Sequence, residues 1–161
     1  MKQLLIVWHS RTGAAKAMAQ AAFEGARAAG DVRVQRAADT DIADMLAACG
    51  YIFACPENLA TMSGEMKEFF DRSYYPLLGR IEGRAYATLI AAGSDGTGAQ
   101  AQVDRIATGW RLRRVAEPLI VNTRAQTPEE ILAPKTLDTA TLDRCRDLGQ
   151  ALAAGLDMGA F

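Results

Sequence analysis

The stretch Leu4-Leu5-Ile6-Val7-Trp8-His9-Ser10-Arg11-Thr12-Gly13-Ala14-Ala15-Lys16 decides how this chain is read. Its first four residues are apolar without a break, the pattern of a strand buried on both faces. His9 to Gly13 then supply hydroxyls and a glycine, and an alanine-rich helical stretch follows. A strand that feeds a turn into a helix start directs Ser10, Thr12 and the amides of residues 11–15 toward one point. Unpaired N–H groups and the positive end of the helix dipole suit that point to an anion, best of all a phosphate monoester. The competing reading of Ser10 and Thr12 is plain helix capping.

Working outward, strand-like and helix-like stretches alternate. Residues 13–29 place Ala14, Ala17, Met18, Ala21, Ala22 and Phe23 on an apolar helical face, and Gly30 ends it. Residues 32–36 alternate as an edge strand does, and 41–49 suggest a short helix. Tyr51 to Cys55 reads as a second buried strand stopped by Pro56. Ser63 is expected to cap a helix over 64–75, closed by Pro76 and Gly79. Residues 85–92 are a third buried strand, 99–112 a helix, Val115 to Val121 a strand interrupted by Pro118, and 138–156 a final amphipathic helix. The stretch 122–137 reads as irregular and surface-lying. Strict alternation predicts an α/β doubly wound parallel sheet covered by helices on both faces, one domain over residues 1–161. Ligands bind such sheets beyond the carboxyl ends of the strands, so loops 9–15, 56–63 and 93–98 should build the site.

Composition narrows the function classes. The formal net charge of −1 gives no basic excess for nucleic acid or an anionic membrane surface. Arg111, Arg113 and Arg114 are the one basic run and read as a solvated helix end. Three cysteines without C-x-x-C spacing make neither a disulfide framework nor a zinc site, and point to a cytoplasmic protein with reduced thiols. No apolar run approaches the roughly 20 residues that cross a bilayer. No G-x-x-x-x-G-K-[ST] and no G-x-G-x-x-G occurs, which leaves a single terminal phosphate as the natural guest of the first loop.

Ser10-Arg11-Thr12-Gly13 after an apolar strand resembles the phosphate loop of flavodoxin-like FMN proteins. Pro56-Glu57-Asn58-Leu59-Ala60-Thr61-Met62-Ser63-Gly64, with Lys67, Phe69, Phe70, Asp71, Arg72 and Tyr75-Pro76 behind it, is similar to the third-strand loop of the NAD(P)H-dependent FMN reductase and quinone reductase branch. Ala92-Gly93-Ser94-Asp95-Gly96-Thr97-Gly98 resembles the flavin-side loop of the same branch. The resemblance implies a flavodoxin-like three-layer sandwich with five parallel strands in the order 2-1-3-4-5. It implies that Ser10, Arg11, Thr12, Gly13, Ala14 and Ala15 take the phosphate of FMN. Pro56, Glu57, Asn58 and Leu59 would edge the isoalloxazine ring, with Gly93, Ser94, Asp95 and Gly96 on its other side.

Ala14 and Ala15 depart from the family, which commonly has a hydroxyl or amide side chain there. One lost charged hydrogen bond weakens binding by roughly ten- to a hundredfold. Neither flavin-side loop holds an aromatic residue, so the ring should be open to a flat-lying nicotinamide. The expected function is transfer of hydride from NAD(P)H through FMN to a quinone or other small-molecule acceptor. The alternatives are a flavodoxin-type electron carrier and a module of this fold with weak or lost FMN binding. No catalytic acid–base residue is required and no metal is expected.

Single residues have competing readings. His9 donates to a phosphate or quinone oxygen, or is a loop side chain. Glu57 touches the flavin or fixes its loop. Asp95 binds or forms the turn. Cys55 is a redox thiol or, with nothing to lower its pKa, inert core. Trp8 reads as core packing. The Phe69, Phe70, Tyr74, Tyr75 cluster covers more than one helix face, so one side meets the core and the other is a candidate homodimer contact.

Overall fold

The computed structural model describes residues 2–161. In chain order the elements are β1 (Leu4–Trp8), α1 (Ala14–Arg27), β2 (Val32–Arg36), a 3-10 turn at Ala37–Asp39, α2 (Ile42–Ala47), β3 (Gly50–Asn58), β4 (Thr61–Met62), α3 (Gly64–Leu77), β5 (Ala85–Ala92), α4 (Thr97–Gly109), β6 (Arg113–Arg114), β7 (Leu119–Asn122), α5 (Pro128–Leu132) and α6 (Thr139–Met158). The sheet runs β2-β1-β3-β5-β6, with β7 also beside β5 and β4 antiparallel to β3. All other pairings are parallel.

The expected order 2-1-3-4-5 therefore describes the parallel sheet, with two corrections. The fifth strand is broken into β6 and β7. From Ala85↔Arg113 to Leu89↔Leu119 the edge chain takes six steps (113 to 119) against four on β5 (85 to 89), so two residues bulge out of the ladder. Pro118 lies in that bulge, where its missing N–H breaks no pairing. The second correction is that Arg113 and Arg114 are strand residues. The helix stops at Gly109, and Arg111 turns the chain at φ 61°. Segment 122–137 is not wholly irregular either, since it contains α5.

Strand periodicity splits the core into two. Leu4, Ile6, Ile52 and Ala54 join the alanines of α1 and the apolar face of α6. Leu5, Val7, Tyr51 and Phe53 join Met45, Met66, Phe69, Phe70, Val103 and Trp110 on the opposite face. Each fully buried aliphatic side chain contributes about 1.5–3 kcal/mol, so β1, buried from Leu4 to Val7, stabilises both layers. The second layer is aromatic. Phe70 stacks at tilted angles 5.2 Å from Phe53 and 5.6 Å from Trp110, whose indole N–H donates to the Tyr74 carbonyl at 2.9 Å. Tyr75 is left outside, 78% exposed, beside exposed Leu78.

The first layer depends on close approach of α1 and α6. A Cβ at Gly149 would overlap the Ala22 carbonyl, and one at Gly25 would overlap the Arg146 carbonyl. Two helices meet backbone to backbone here, and only glycine allows it. Gly149→Ala is expected to lower unfolding free energy by about 1–3 kcal/mol in a urea titration, the usual range for overpacking. Gly64→Ala, at a helix position with nothing within 4 Å, is the contrasting control and should be neutral or stabilising.

Candidate functional site

A cavity of about 420 Å³ opens at the carboxyl edge of the sheet, within the range of small-molecule sites. It lies where the chain leaves β1 to one side and β3 and β5 to the other, the switch point of the strand order. Four loops line it, one more than expected. Ser10, Arg11, Thr12, Ala14 and Ala15 come from the first, Pro56 to Ala60 from the second, and Ala91 to Ser94 from the third. Thr123, Ala125, Ile131 and Lys135 come from the segment after β7, which sequence reasoning left outside the site. One signal was available: Thr127-Pro128-Glu129-Glu130 is a capping box, with Glu130 N donating to Thr127 Oγ1 and Thr127 N to the Glu130 carboxylate, both at 3.2 Å.

The first loop forms an anion cradle. Gly13 sits at φ 106° as the residue before α1, with no side chain capping the helix. Its N–H donates to Ser10 Oγ at 3.0 Å, which turns the loop back on itself. Among the described residues, no protein acceptor takes the amides of Ala14, Ala15 or Lys16. Unsatisfied amides at a helix start, with the Ser10 and Thr12 hydroxyls beside them, suit a phosphate. Gly13 shapes this loop from behind rather than lining the cavity. Arg11 lines the cavity and is exposed.

The start of α4 at this edge is already occupied. Glu57 Oε1 accepts from Gly96 N at 2.8 Å and Glu57 Oε2 from Ala99 N at 3.0 Å. Of the two readings of Glu57, the geometry favours the loop-fixing one. It ties the β3–β4 hairpin to α4, and Gly98 allows the Ala60 carbonyl to lie where a Cβ would otherwise stand. Asp95 and Gly96, expected beside the ring, are not on the cavity wall. Asp95 accepts from the Thr97 hydroxyl at 2.9 and 2.8 Å as a turn former, and Gly96 sits at φ 102°, where a Cβ would come within 2.5 Å of Ile120 Cγ2. Gly93 and Ser94 do line the cavity. A side chain at Gly93 would meet the Ala125 carbonyl at 2.8 Å, so the fourth segment passes directly over it.

The hairpin tip is strained. Leu59 at φ 52° and Ala60 at φ 64° both occupy the left-handed region, which a two-residue turn of this kind normally gives to Asn-Gly. Leu59 is also 98% exposed, an apolar side chain held over the cavity mouth with nothing covering it. No lining residue is aromatic.

His9 points away from the cavity. Its Nδ1 lies 2.7 Å from Ser63 Oγ, and its Nε2 lies 3.3 Å from the Glu65 carboxylate. Ser63 thus does not cap α3 as expected; its hydroxyl ties that helix to the end of β1. Burial lowers the His9 pKa below 6.5. Glu65 acts against the shift, while Arg36 and Arg11 add to it. Cys55 is buried, and desolvation pushes its thiol to about 12, so it holds no thiolate for redox chemistry. Trp8 packs against the α1–α6 layer, with the Lys16 ammonium 5.9 Å from its ring centroid.

Known proteins agree with this architecture. A flavodoxin from the archaeal domain superimposes with a TM-score of 0.78 over 96% of this chain and 99% of its own, at 18% identity. A flavodoxin, WrbA-like protein from Agrobacterium tumefaciens does so with 0.78 over 98% and 99%, at 17% identity. The fold is flavodoxin-like. A flavodoxin from Aquifex aeolicus (strain VF5) is 33% identical over 100 residues, which span 61% of this chain and 54% of that protein. No protein-family model matches the chain.

Two measurements check this geometry. Replacing Leu59-Ala60 by Asn-Gly should raise stability by about 1 kcal/mol in chemical denaturation, because left-handed backbone costs roughly 1–2 kcal/mol per ordinary residue and glycine gives part of that back in entropy. The sole histidine should give an NMR titration midpoint below 6.5. The unfolded chain then binds that proton more tightly, so stability falls as pH drops from 6.5 through the folded pKa. His9→Asn should flatten that part of the pH profile; a midpoint at or above 6.5 would contradict the buried placement.

Proposed function

We propose that the cavity holds FMN and that the protein is an oxidoreductase, passing hydride from NAD(P)H through the flavin to a quinone or other small acceptor. The observation that carries the reading is the pairing of an open helix-start cradle with an adjoining slot whose walls hold no aromatic side chain. The donor set fits the cofactor at both ends. The Ser10 and Thr12 hydroxyls and the free amides at the start of α1 would take the phosphate. Pro56 to Leu59 and Gly93-Ser94 would flank the ring. Bound FMN would supply hydride and single-electron chemistry.

This chain's residues position and shield rather than react. Glu57 spends its carboxylate on two amides, and it keeps the hairpin wall in place. Ala14 and Ala15 are buried and offer the phosphate backbone N–H groups only, so binding should be weaker than with an added hydroxyl donor there. Leu59 stands at the rim, and with no aromatic side chain in the wall the face of a bound ring would stay uncovered. A second reading, a flavodoxin-type electron carrier serving a protein partner, is favoured by the 33% identity to a flavodoxin.

Apoprotein titrated with FMN to about 100 µM, a concentration that detects affinities of that order, should develop a perturbed flavin spectrum. The loaded protein should then oxidise NADH or NADPH in the presence of a quinone. No spectral change overturns the FMN reading. Flavin binding without NAD(P)H oxidation moves the assignment to the carrier.

A further inference from the structure

Lys135 is the one cationic side chain that the segment after β7 brings to the cavity wall. Its main-chain N–H donates to the Thr12 carbonyl at 2.8 Å, which fastens this segment to the cradle 123 residues earlier in the chain. Its ammonium lies 3.4 Å from Thr12 Oγ1 and donates to the carbonyls of Ile131 at 2.9 Å and Ala133 at 2.6 Å. Among the described residues it forms no ion pair with a carboxylate. A partly buried ammonium held by neutral oxygens is a charge without a counter-charge, and it faces the point where the α1 amides already favour an anion.

We propose that Lys135 is the counter-charge for the ligand's phosphate and makes this cavity select a phosphorylated flavin over its unphosphorylated form. The proposal rests on the flavin reading above. Sequence spacing gave no hint of it, because the residue arrives from a segment across the sheet. The competing role is a purely structural one: a lysine closing the carboxyl end of α5 through the Ile131 and Ala133 carbonyls.

Lys135→Gln separates the two. It keeps N–H donors for those carbonyls and removes the charge. Dissociation constants for FMN and for riboflavin are measured by flavin fluorescence at pH 8, where the phosphate is a dianion. Lys135→Gln is expected to weaken FMN by about ten- to a hundredfold, the range for one charged hydrogen bond, and to leave riboflavin unchanged. Lys135→Arg should keep the wild-type preference. Lys67→Met, which removes the same charge from an exposed pair with Asp71 on α3, should also keep it. An FMN-to-riboflavin ratio that is the same in wild type and Lys135→Gln overturns the proposal while the flavin reading stands. So does an equal loss in Lys67→Met. A wild-type protein that binds riboflavin as tightly as FMN overturns it as well. Wild-type protein that binds neither flavin overturns both.

Discussion

Of the helices that begin at the carboxyl edge of this sheet, α1 has an open start and α4 does not, and the Glu57 carboxylate makes the difference. By accepting from Gly96 and Ala99 it fills the start of α4 with a charge that belongs to the protein. The start of α1 has no such occupant. One carboxylate therefore leaves the start of α1 as the end that suits an anion, while the α4 side is closed by the protein's own hairpin. The same two bonds press the β3–β4 hairpin against α4, so the slot width follows from Glu57 as well. Removing it would leave two amides without partners and loosen a wall at once.

The rest of the site is organised around that asymmetry. β1 is paired on both sides and buried on both faces, so the turn it delivers is held firmly from below. His9 and Ser63 tie the start of α3 to the same strand end, on the side away from the cavity. The segment after β7 closes the fourth side, crossing Gly93 and joining Thr12 through its backbone. The cavity is thus held by backbone pairing, by the Glu57 carboxylate and by the His9–Ser63 bond on every side except its mouth, where Leu59 stands exposed on a strained turn. Strain kept at a rim and not relieved by Asn-Gly is the kind of feature that persists where a conformation matters more than local stability.

The sequence made the central strands plain because their signal is local. Leu4 to Val7 and Tyr51 to Cys55 are apolar without interruption, Ala85 to Ala92 is broken only by Thr88, and burial on both faces is what such runs mean. β6 was hidden because two arginines on an exposed edge carry no apolar pattern; only pairing with Ala85 and Tyr86 makes them a strand. α5 is five residues long and has no buried face, so its capping box was the only trace it could leave. The loops of the site were legible as hydroxyl- and glycine-rich breaks after buried strands. The partners inside them were not. Glu57 reaches amides 39 and 42 residues away, and nothing at its own position names them. Leu59 and Ala60 gave no turn signal, since their residue types normally avoid the backbone they adopt. Lys135 looked like an unremarkable residue in a loop until the fold carried it across the sheet.

The backbone-to-backbone seam between α1 and α6 governs when the site takes shape. Gly25 receives the Arg146 carbonyl and Gly149 receives the Ala22 carbonyl, so the seam closes only when two segments far apart in the chain have met. Until α6 docks, one flank of α1 stays wet, and the cradle at its tip has no rigid support behind it. Contacts so distant along the chain form late and slowly. Ligand capture therefore waits on this closure, because only a backed α1 holds the amides at its start in fixed directions.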